Sequence, residues 1–218
     1  MLARALLILS LLTGESSLAQ APTSLRLLAL GDSFTIGTSQ PESLNFPSQL
    51  AGMLRKRGVE VRLENVAVNG YSTKELIREE LPALEVVKPN VVTLAVGAND
   101  IVRESNQDAY RGRLKHIFQT IRAARVAPSR IFVLPQPDWS RSPVAAAFGD
   151  RDQLRARIET YNAILADEAR AAGATYVDLW PLMMEQAAAK MVAEDGLHPR
   201  AKAYTAWAER LAPLIAPR

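Results

Sequence analysis

The chain has 218 residues, of which 48% are hydrophobic and 22% charged, so it can bury a substantial core and is too apolar to be disordered. Its 26 basic and 23 acidic residues give a net charge of +3 and are well mixed, which argues against nucleic acid as a partner. The lack of cysteine excludes disulfides, thiolate catalysis and cysteine-ligated metal sites.

The N-terminal stretch MLARALLILSLLTGESSLAQAP has the pattern of a secretory signal peptide. Arg4 precedes an apolar run, and small and polar residues follow that run. The run is far shorter than the roughly 20 apolar residues of a membrane-spanning helix. We therefore predict a signal peptide at residues 1–19 with cleavage near residues 19–21, no stable membrane span after cleavage, and export to the periplasm or the extracellular space. A buried N-terminal helix is the alternative.

Strand-like and helix-like segments alternate through the first half of the remaining chain. LRLLAL (25–30) has the apolar character of a buried parallel strand, and a helix is predicted over residues 46–57. VEVRLENVAV (59–68) is the second predicted strand. STKE (72–75) has the form of a capping box and predicts that Ser72 opens a helix. VVTLAVG (91–97) is the third predicted strand.

The second half continues the same alternation. A helix is predicted over residues 107–126 because its apolar side chains share one face: Leu114, Ile117, Phe118 and Ile121. RIFVLP (130–135) and ATYVDL (174–179) are the last two predicted strands, and a helix over residues 151–172 separates them. The last predicted helix spans residues 199–214, with an inner face of Ala203, Tyr204, Trp207, Leu211 and Leu214.

Five strands alternating with helices predict one α/β domain over residues 22–218, a three-layer α/β/α sandwich with a five-stranded parallel sheet. Ligands bind such sheets beyond the carboxyl ends of the strands. Ser33, Gly70 and Asn99 follow the first, second and third strands, and Asp195 and His198 precede the last helix. Acyl transfer requires these groups: a serine, a histidine, an aspartate and two groups that can stabilise an oxyanion.

Four sequence blocks, GDSFTIG, NVAVNGYSTKEL, GAND and DGLHP, resemble in order the four blocks of the SGNH, or GDSL-type, hydrolases. The resemblance covers residues 27 to 210 and implies a flavodoxin-like fold. It also implies that Ser33 is the nucleophile and that Asp195 and His198 complete a catalytic triad. Ser33, Gly70 and Asn99 would then form the oxyanion hole, and no cofactor would be needed.

The residue types suit these roles on physical grounds. A serine hydroxyl is a poor nucleophile until a base accepts its proton, and histidine does this near neutral pH. Asp195 would hold the imidazole in one tautomer and stabilise the imidazolium. The tetrahedral oxyanion needs donors placed in advance, and losing one donor typically costs about 10²-fold to 10³-fold in rate.

Competing interpretations exist for several polar residues. Ser72 is a rival nucleophile, although its SxxE context indicates a helix cap. Asp178, at a strand end, is the rival for the triad acid. We expect His116 to be a solvated surface residue, and Asp32 and Asp100 to make backbone or turn hydrogen bonds near the site.

The loop after the fourth strand, QPDWSRSPVAAAFGD, is rich in proline and aromatic residues, and we predict that Trp139 and Phe148 wall the substrate pocket. Phe34, where the family name implies leucine, is expected to be a core contact away from the chemistry. His116 and His198 are far apart and no HExxH motif occurs, so no metal site is expected.

The sequence therefore predicts an exported serine esterase that acts on a small-molecule acyl ester. The alternatives are a catalytically inactive module of the same fold that binds an acylated ligand, and a thioesterase or lysophospholipase specialisation of the same site.

Overall fold

The computed structural model describes residues 24–103 and 106–216, and the predicted signal peptide lies outside them. A sheet of five parallel strands in the order β2-β1-β3-β4-β5 forms the centre of the domain. The strands are β1 (Ser24–Gly31), β2 (Glu60–Asn65), β3 (Val91–Ala95), β4 (Ile131–Val133) and β5 (Thr175–Tyr176). The strand order is flavodoxin-like, and its reversal point lies between β1 and β3, where such folds bind ligands.

Helices cover both faces of the sheet, which confirms the predicted three-layer sandwich. They are α1 (Ser33–Ile36), α2 (Phe46–Lys56), α3 (Thr73–Glu75), α4 (Ala83–Val87), α5 (Ala98–Arg103), α6 (Gln107–Ala123), α7 (Arg151–Ala171), α8 (Trp180–Ala188) and α9 (Ala201–Ile215). One apolar core lies between the sheet and α2, α8 and α9, and the other between the sheet and α4 to α7.

The apolar stripes of the long helices explain these two cores. All four predicted inward residues of α6 are buried. In α9 the prediction of Leu214 on the inner face is wrong, since Leu214 is 48% exposed and Ile215 is 2% exposed. The stripe advances by four residues from Leu211 to Ile215, as the period of 3.6 residues permits, and so passes over Leu214.

The capping box predicted at Ser72 is confirmed. Glu75 Oε2 accepts the Ser72 backbone N–H at 2.8 Å, and Ser72 Oγ accepts the N–H of Lys74 at 3.2 Å. The helix then continues as a π-helical turn over Leu76–Glu80. Among the described residues, three helices were not predicted: α1, α5 and α8. The first two are four and six residues long and the third is apolar on most sides, so none of them shows the helical period on which the prediction relies.

Candidate active site

Ser33 is the first residue of α1 and lies two residues after the end of β1. Asp32 caps this short helix, because its Oδ1 accepts the N–H of Phe34 at 3.0 Å. Gly37, in the left-handed conformation, ends the helix and donates its N–H to the Ser33 carbonyl at 3.1 Å. These two caps hold Ser33 at the carboxyl edge of the sheet, where it is 6% exposed.

Gly31, just before this turn, has no room for a side chain. A Cβ built there would lie 2.3 Å from Thr35 Oγ1 and 2.4 Å from the carbonyl oxygen of Ala95 on β3. Only glycine therefore lets β1 run this close to β3 before the chain turns into α1. We call residues 31–33 the serine turn.

His198 and Asp195 lie together in the loop between α8 and α9. An antiparallel bridge between Val192 and Pro199 closes the base of this loop. Asp195 Oδ1 accepts the backbone N–H groups of Leu197 at 2.9 Å and His198 at 3.0 Å. The other carboxylate oxygen, Oδ2, lies 2.6 Å from His198 Nδ1, so the imidazole is oriented by a carboxylate three residues before it.

Asp195 is an ionised acceptor at every pH near neutrality. Its partial burial would raise its pKa, but hydrogen bonds outweigh that effect and lower the pKa to about 2. The donors are the Ser39 hydroxyl at 2.5 Å, the backbone N–H groups of Leu197 and His198, and the imidazole. Because a carboxylate can only accept, Nδ1 of the imidazole carries the proton and Nε2 is left able to accept one.

Asn99 is the second residue of α5 and lies four residues beyond the end of β3. Its Nδ2 donates one hydrogen to the Tyr71 carbonyl at 3.0 Å, which ties α5 to the loop that follows β2. The same amide group has a second N–H. Gly70 lies in that loop with φ of 84°, a conformation that favours glycine.

Asp100 is fully buried and stabilises the end of this loop through hydrogen bonds to Thr73. Its Oδ2 accepts the Thr73 N–H at 2.9 Å, and its Oδ1 accepts the Thr73 hydroxyl and, at 3.1 Å, Arg113 Nη2. Arg113 Nε also donates to Thr73 Oγ1 at 2.7 Å. Asp100 thus fixes the start of α3 relative to α5, and Asp32 likewise bonds backbone, as expected for both.

Ser33, Asn99 and His198 open onto one small cavity of about 110 Å³ at the carboxyl edge of the sheet. No hydrogen bond joins Ser33 Oγ to the imidazole within the described part of the chain. Gly70 does not line the cavity, although Asn69 beside it does. The lining residues are Ser33, Phe34, Asn69, Ala98, Asn99, Val102, Trp139, Phe148, Leu197 and His198.

The competing residues lie elsewhere. Asp178 is exposed, and its Oδ1 accepts the N–H of Trp180 at the start of α8. Ser72 is committed to its capping box, and His116 is exposed on α6. None of these three residues lines the small cavity.

The aromatic wall of the cavity comes from the loop between β4 and α7. Trp139 is 4% exposed and stacks on Phe34, with ring centroids 5.9 Å apart. Phe34 also lies 5.3 Å from the His198 ring, so the expectation that it stays away from the site residues is wrong, because α1 turns it inward beside the imidazole. Arg157 holds Phe148 in place by donating to its carbonyl at 3.2 Å.

A larger cavity, about 950 Å³, is lined by residues near the amino ends of β1 and β3, among them Arg26 and Asn90. It contains none of the predicted site residues, and His116, which was predicted to be a surface residue, lies on its wall. In residues 24–103 and 106–216, no cluster of three or more histidine and acidic side chains is arranged to hold a metal ion. No helix in the same ranges is both long and apolar enough to cross a membrane.

Two residues at the site were missed by the sequence analysis, Ser39 and Glu80. Ser39 has a positive φ of 66° and bonds a carboxylate 156 residues later in the chain. Glu80 is 1% exposed and accepts the N–H of Gly31 at 2.8 Å. No local pattern marks either residue, because both contacts depend on segments brought together by folding.

Fold and site together define a class: flavodoxin-like α/β/α proteins with a serine, an asparagine and a carboxylate-oriented histidine at the carboxyl edge of the sheet. The chain belongs to the GDSL-like lipase/acylhydrolase family, whose sequence profile matches residues 29–206. It is a carboxylic ester hydrolase of the GDSL type. The resemblance found in the four sequence blocks is thereby confirmed.

Individual relatives share between 18% and 27% sequence identity with this chain. An arylesterase of Vibrio mimicus is 27% identical over 190 residues, which cover 85% of this chain and 85% of that protein. The lipase/acylhydrolase of Enterococcus faecalis superposes with a TM-score of 0.72 at 19% identity, covering 88% of this chain and 95% of the other. Axe2, an acetylxylan esterase of Geobacillus stearothermophilus, gives 0.72 at 18% identity, covering 90% and 96%. The two structural likenesses concern the fold.

Proposed function

We propose that this protein is an exported serine esterase in which Ser33, His198 and Asp195 form the catalytic triad. One observation carries the proposal: an imidazole oriented by the Asp195 carboxylate opens onto the same 110 Å³ cavity as a serine beyond the carboxyl end of β1. Nucleophile, base and orienting acid are the three roles that acyl transfer through a serine requires.

In the proposed reaction His198 Nε2 accepts the proton of Ser33 Oγ as that oxygen attacks the acyl carbonyl. The imidazolium that forms is stabilised by the Asp195 carboxylate, 2.6 Å from Nδ1. The imidazolium then gives its proton to the alkoxide that leaves, and an acyl-serine ester remains. A water molecule, deprotonated by the same imidazole, hydrolyses this ester and restores the serine. No cofactor takes part.

The negative charge on the former carbonyl oxygen is stabilised by backbone N–H groups at Ser33 and Gly70 and by the Asn99 side chain. The Asn99 amide supports this role because only one of its two N–H groups is engaged by Tyr71. Gly70 supports it less directly, since its neighbour Asn69, rather than Gly70 itself, lines the cavity. Donors held in place before the reaction need no reorganisation as the charge develops.

The cavity supports a small acyl group as the substrate's acid part. Its volume is about 110 Å³ and its walls include Phe34, Trp139 and Phe148. The name of one structural relative, an acetylxylan esterase, agrees with a short acyl group. Export is supported by the signal-like N-terminal pattern, and a secreted chain that begins near residue 20 in mass spectrometry would test it.

Replacing Ser33 with alanine tests the nucleophile. We expect the variant to lose about 10⁶-fold in kcat on p-nitrophenyl acetate, as in other triad enzymes, and to lose covalent labelling by a fluorophosphonate probe. Ser72→Ala is the matched control, because Ser72 is a helix cap and its loss should leave labelling intact. Wild-type protein that folds but is not labelled would instead favour an inactive module that binds an acylated ligand.

A further inference from the structure

A buried carboxyl group that the proposed mechanism does not use lies beneath the serine turn. Glu80 is 1% exposed, and its Oε2 accepts the backbone N–H of Gly31 at 2.8 Å. Gly31 immediately precedes Asp32, the cap of α1, and Ser33 follows. Glu80 therefore holds the backbone two residues before the nucleophile, at a position where β1 already runs too close to β3 for a Cβ.

The helix that carries Glu80 departs from regular α geometry at this residue. Leu81 N–H bonds the carbonyl of Leu76, five residues earlier, at 3.1 Å, so residues Leu76–Glu80 form a π-helical turn. Such turns contain one extra residue and often occur at functional sites. Here Glu79 is exposed and Glu80 is buried, so the irregular turn places an acidic side chain at the carboxyl end of β1.

The surroundings of Glu80 favour its neutral form. Burial, with a smaller contribution from the charge of Asp32, raises the pKa of Glu80 to about 9 against the lowering effect of the Gly31 N–H. Burial also raises the pKa of Asp32 to about 7, with a smaller contribution from Asp100. Asp100 is itself paired with Arg113 at 3.1 Å. Glu80 thus keeps its proton at neutral pH.

Two atoms of this region have no hydrogen-bond partner among the described residues, Glu80 Oε1 and Asp32 Oδ2. Both are buried, and an unsatisfied buried oxygen is costly, most of all when charged. A proton on Glu80 gives its carboxyl group a donor. It also leaves only one negative charge on the two acids that flank the Gly31–Asp32 peptide.

We propose that Glu80 is a positioning residue for the nucleophile: its neutral carboxyl group holds the serine turn in the reactive geometry, and its ionisation at alkaline pH releases that turn. The inference rests on the proposed role of Ser33. An ionised Glu80 would place a second buried charge beside Asp32, and repulsion between like charges in a poorly solvated site disfavours that arrangement. Ser33 moves with the turn, so the acylation rate reports on it.

Three variants test the proposal. Glu80→Gln imitates the neutral acid and keeps an acceptor for the Gly31 N–H. Glu80→Met keeps a similar length but has no acceptor of comparable strength. Glu79→Gln is the matched control, since Glu79 is the neighbouring acid on the same turn and its side chain is 46% exposed in an ion pair with Arg78.

The rate of Ser33 labelling by a fluorophosphonate and kcat on p-nitrophenyl acetate are measured from pH 6 to 10. Wild type and Glu79→Gln should lose about tenfold in rate per pH unit above pH 9. Glu80→Gln should retain a rate within about threefold of wild type at pH 7 and should lack this alkaline decline. Glu80→Met should lose about 10-fold to 100-fold in kcat at pH 7, with KM changed less than kcat, because a displaced nucleophile reacts slowly in a pocket that still binds.

Near-UV circular dichroism at each pH restricts the comparison to folded protein. The proposal is overturned if folded Glu80→Met has wild-type kcat, or if Glu80→Gln shows the same alkaline decline as wild type. Failure of the proposed function looks different, because then Ser33→Ala would retain turnover, whatever the Glu80 variants do.

Discussion

Replacing Asp195 with asparagine exchanges one carboxylate oxygen for an NH₂ group. This exchange should move the proton of the His198 imidazole from Nδ1 to Nε2. The asparagine oxygen can still accept the N–H groups of Leu197 and His198, which hold Oδ1 at 2.9 and 3.0 Å in the wild type. The new NH₂ group would then face His198 Nδ1, 2.6 Å from the present Oδ2. Nδ1 must therefore accept, Nε2 carries the proton, and the base can no longer take the Ser33 proton.

The expected loss is about 10⁴-fold in kcat, the value that the same exchange causes in other triad enzymes, or about 5 kcal/mol of transition-state stabilisation. Stability should change much less. The pKa of Asp195 is lowered from 3.8 to about 2, which corresponds to roughly 2.5 kcal/mol if solvent is ignored. The side chain is 29% exposed, so we reduce this to about 1 kcal/mol.

The sign of this contribution follows from the lowered pKa. The ionised carboxylate stabilises the folded state above about pH 4, and the contribution is lost as the pH falls through about 2. Denaturant unfolding from pH 2 to 7 should therefore show a flatter acid limb in Asp195→Asn than in wild type. Single-turnover acylation at pH 7 measures the kinetic effect.

Ser39→Ala is the matched control, because it removes one hydrogen bond to Asp195 at 2.5 Å and leaves the carboxylate and the tautomer intact. We expect it to lose about tenfold or less in kcat. A folded Asp195→Asn that kept a tenth of wild-type kcat would refute the tautomer argument and reopen the assignment of the triad acid.

Two further changes probe the serine turn and the cavity wall. Gly31→Ala should lose at least about 2 kcal/mol of unfolding free energy and about 100-fold in kcat, because its Cβ would lie 2.4 Å from a backbone oxygen of β3. Gly52→Ala, where no atom lies within 4 Å of the new Cβ, should be neutral or stabilising in urea unfolding, and equal effects at both glycines would contradict the steric argument. Phe148→Ala should enlarge the cavity and raise kcat/KM for p-nitrophenyl hexanoate relative to the acetate by at least about threefold, and an unchanged ratio would remove Phe148 from the acyl pocket.

Local sequence patterns predicted the presence of the strands better than their ends. All five were predicted, because each is either a short apolar run or, in β2, an alternation of apolar and polar residues. Their lengths were less accurate: β5 is Thr175–Tyr176, whereas residues 174–179 were predicted. Strand ends depend on where the neighbouring strand stops offering hydrogen bonds, and that is a property of the pair.

In the candidate site, too, a contact within one loop was predicted from the sequence and a contact between distant segments was not. Asp195 and His198 are three residues apart, and the hydrogen bonds between them close within one loop, so the DGLHP block and its spacing predicted their contact. Phe34 was misjudged, because its contact with the imidazole requires α1 and the loop before α9 to meet.

The sequence by itself determined the class of fold, the four blocks and the residue types at the carboxyl edge, since these follow from local periodicity and short spacing. Only the tertiary structure decided which distant groups support them: Ser39 on the Asp195 carboxylate, Glu80 under the serine turn, and Trp139 against Phe34. These contacts join residues between 49 and 156 positions apart. Side chains so far apart in sequence meet only after the helices pack on the sheet, and no short pattern encodes that packing.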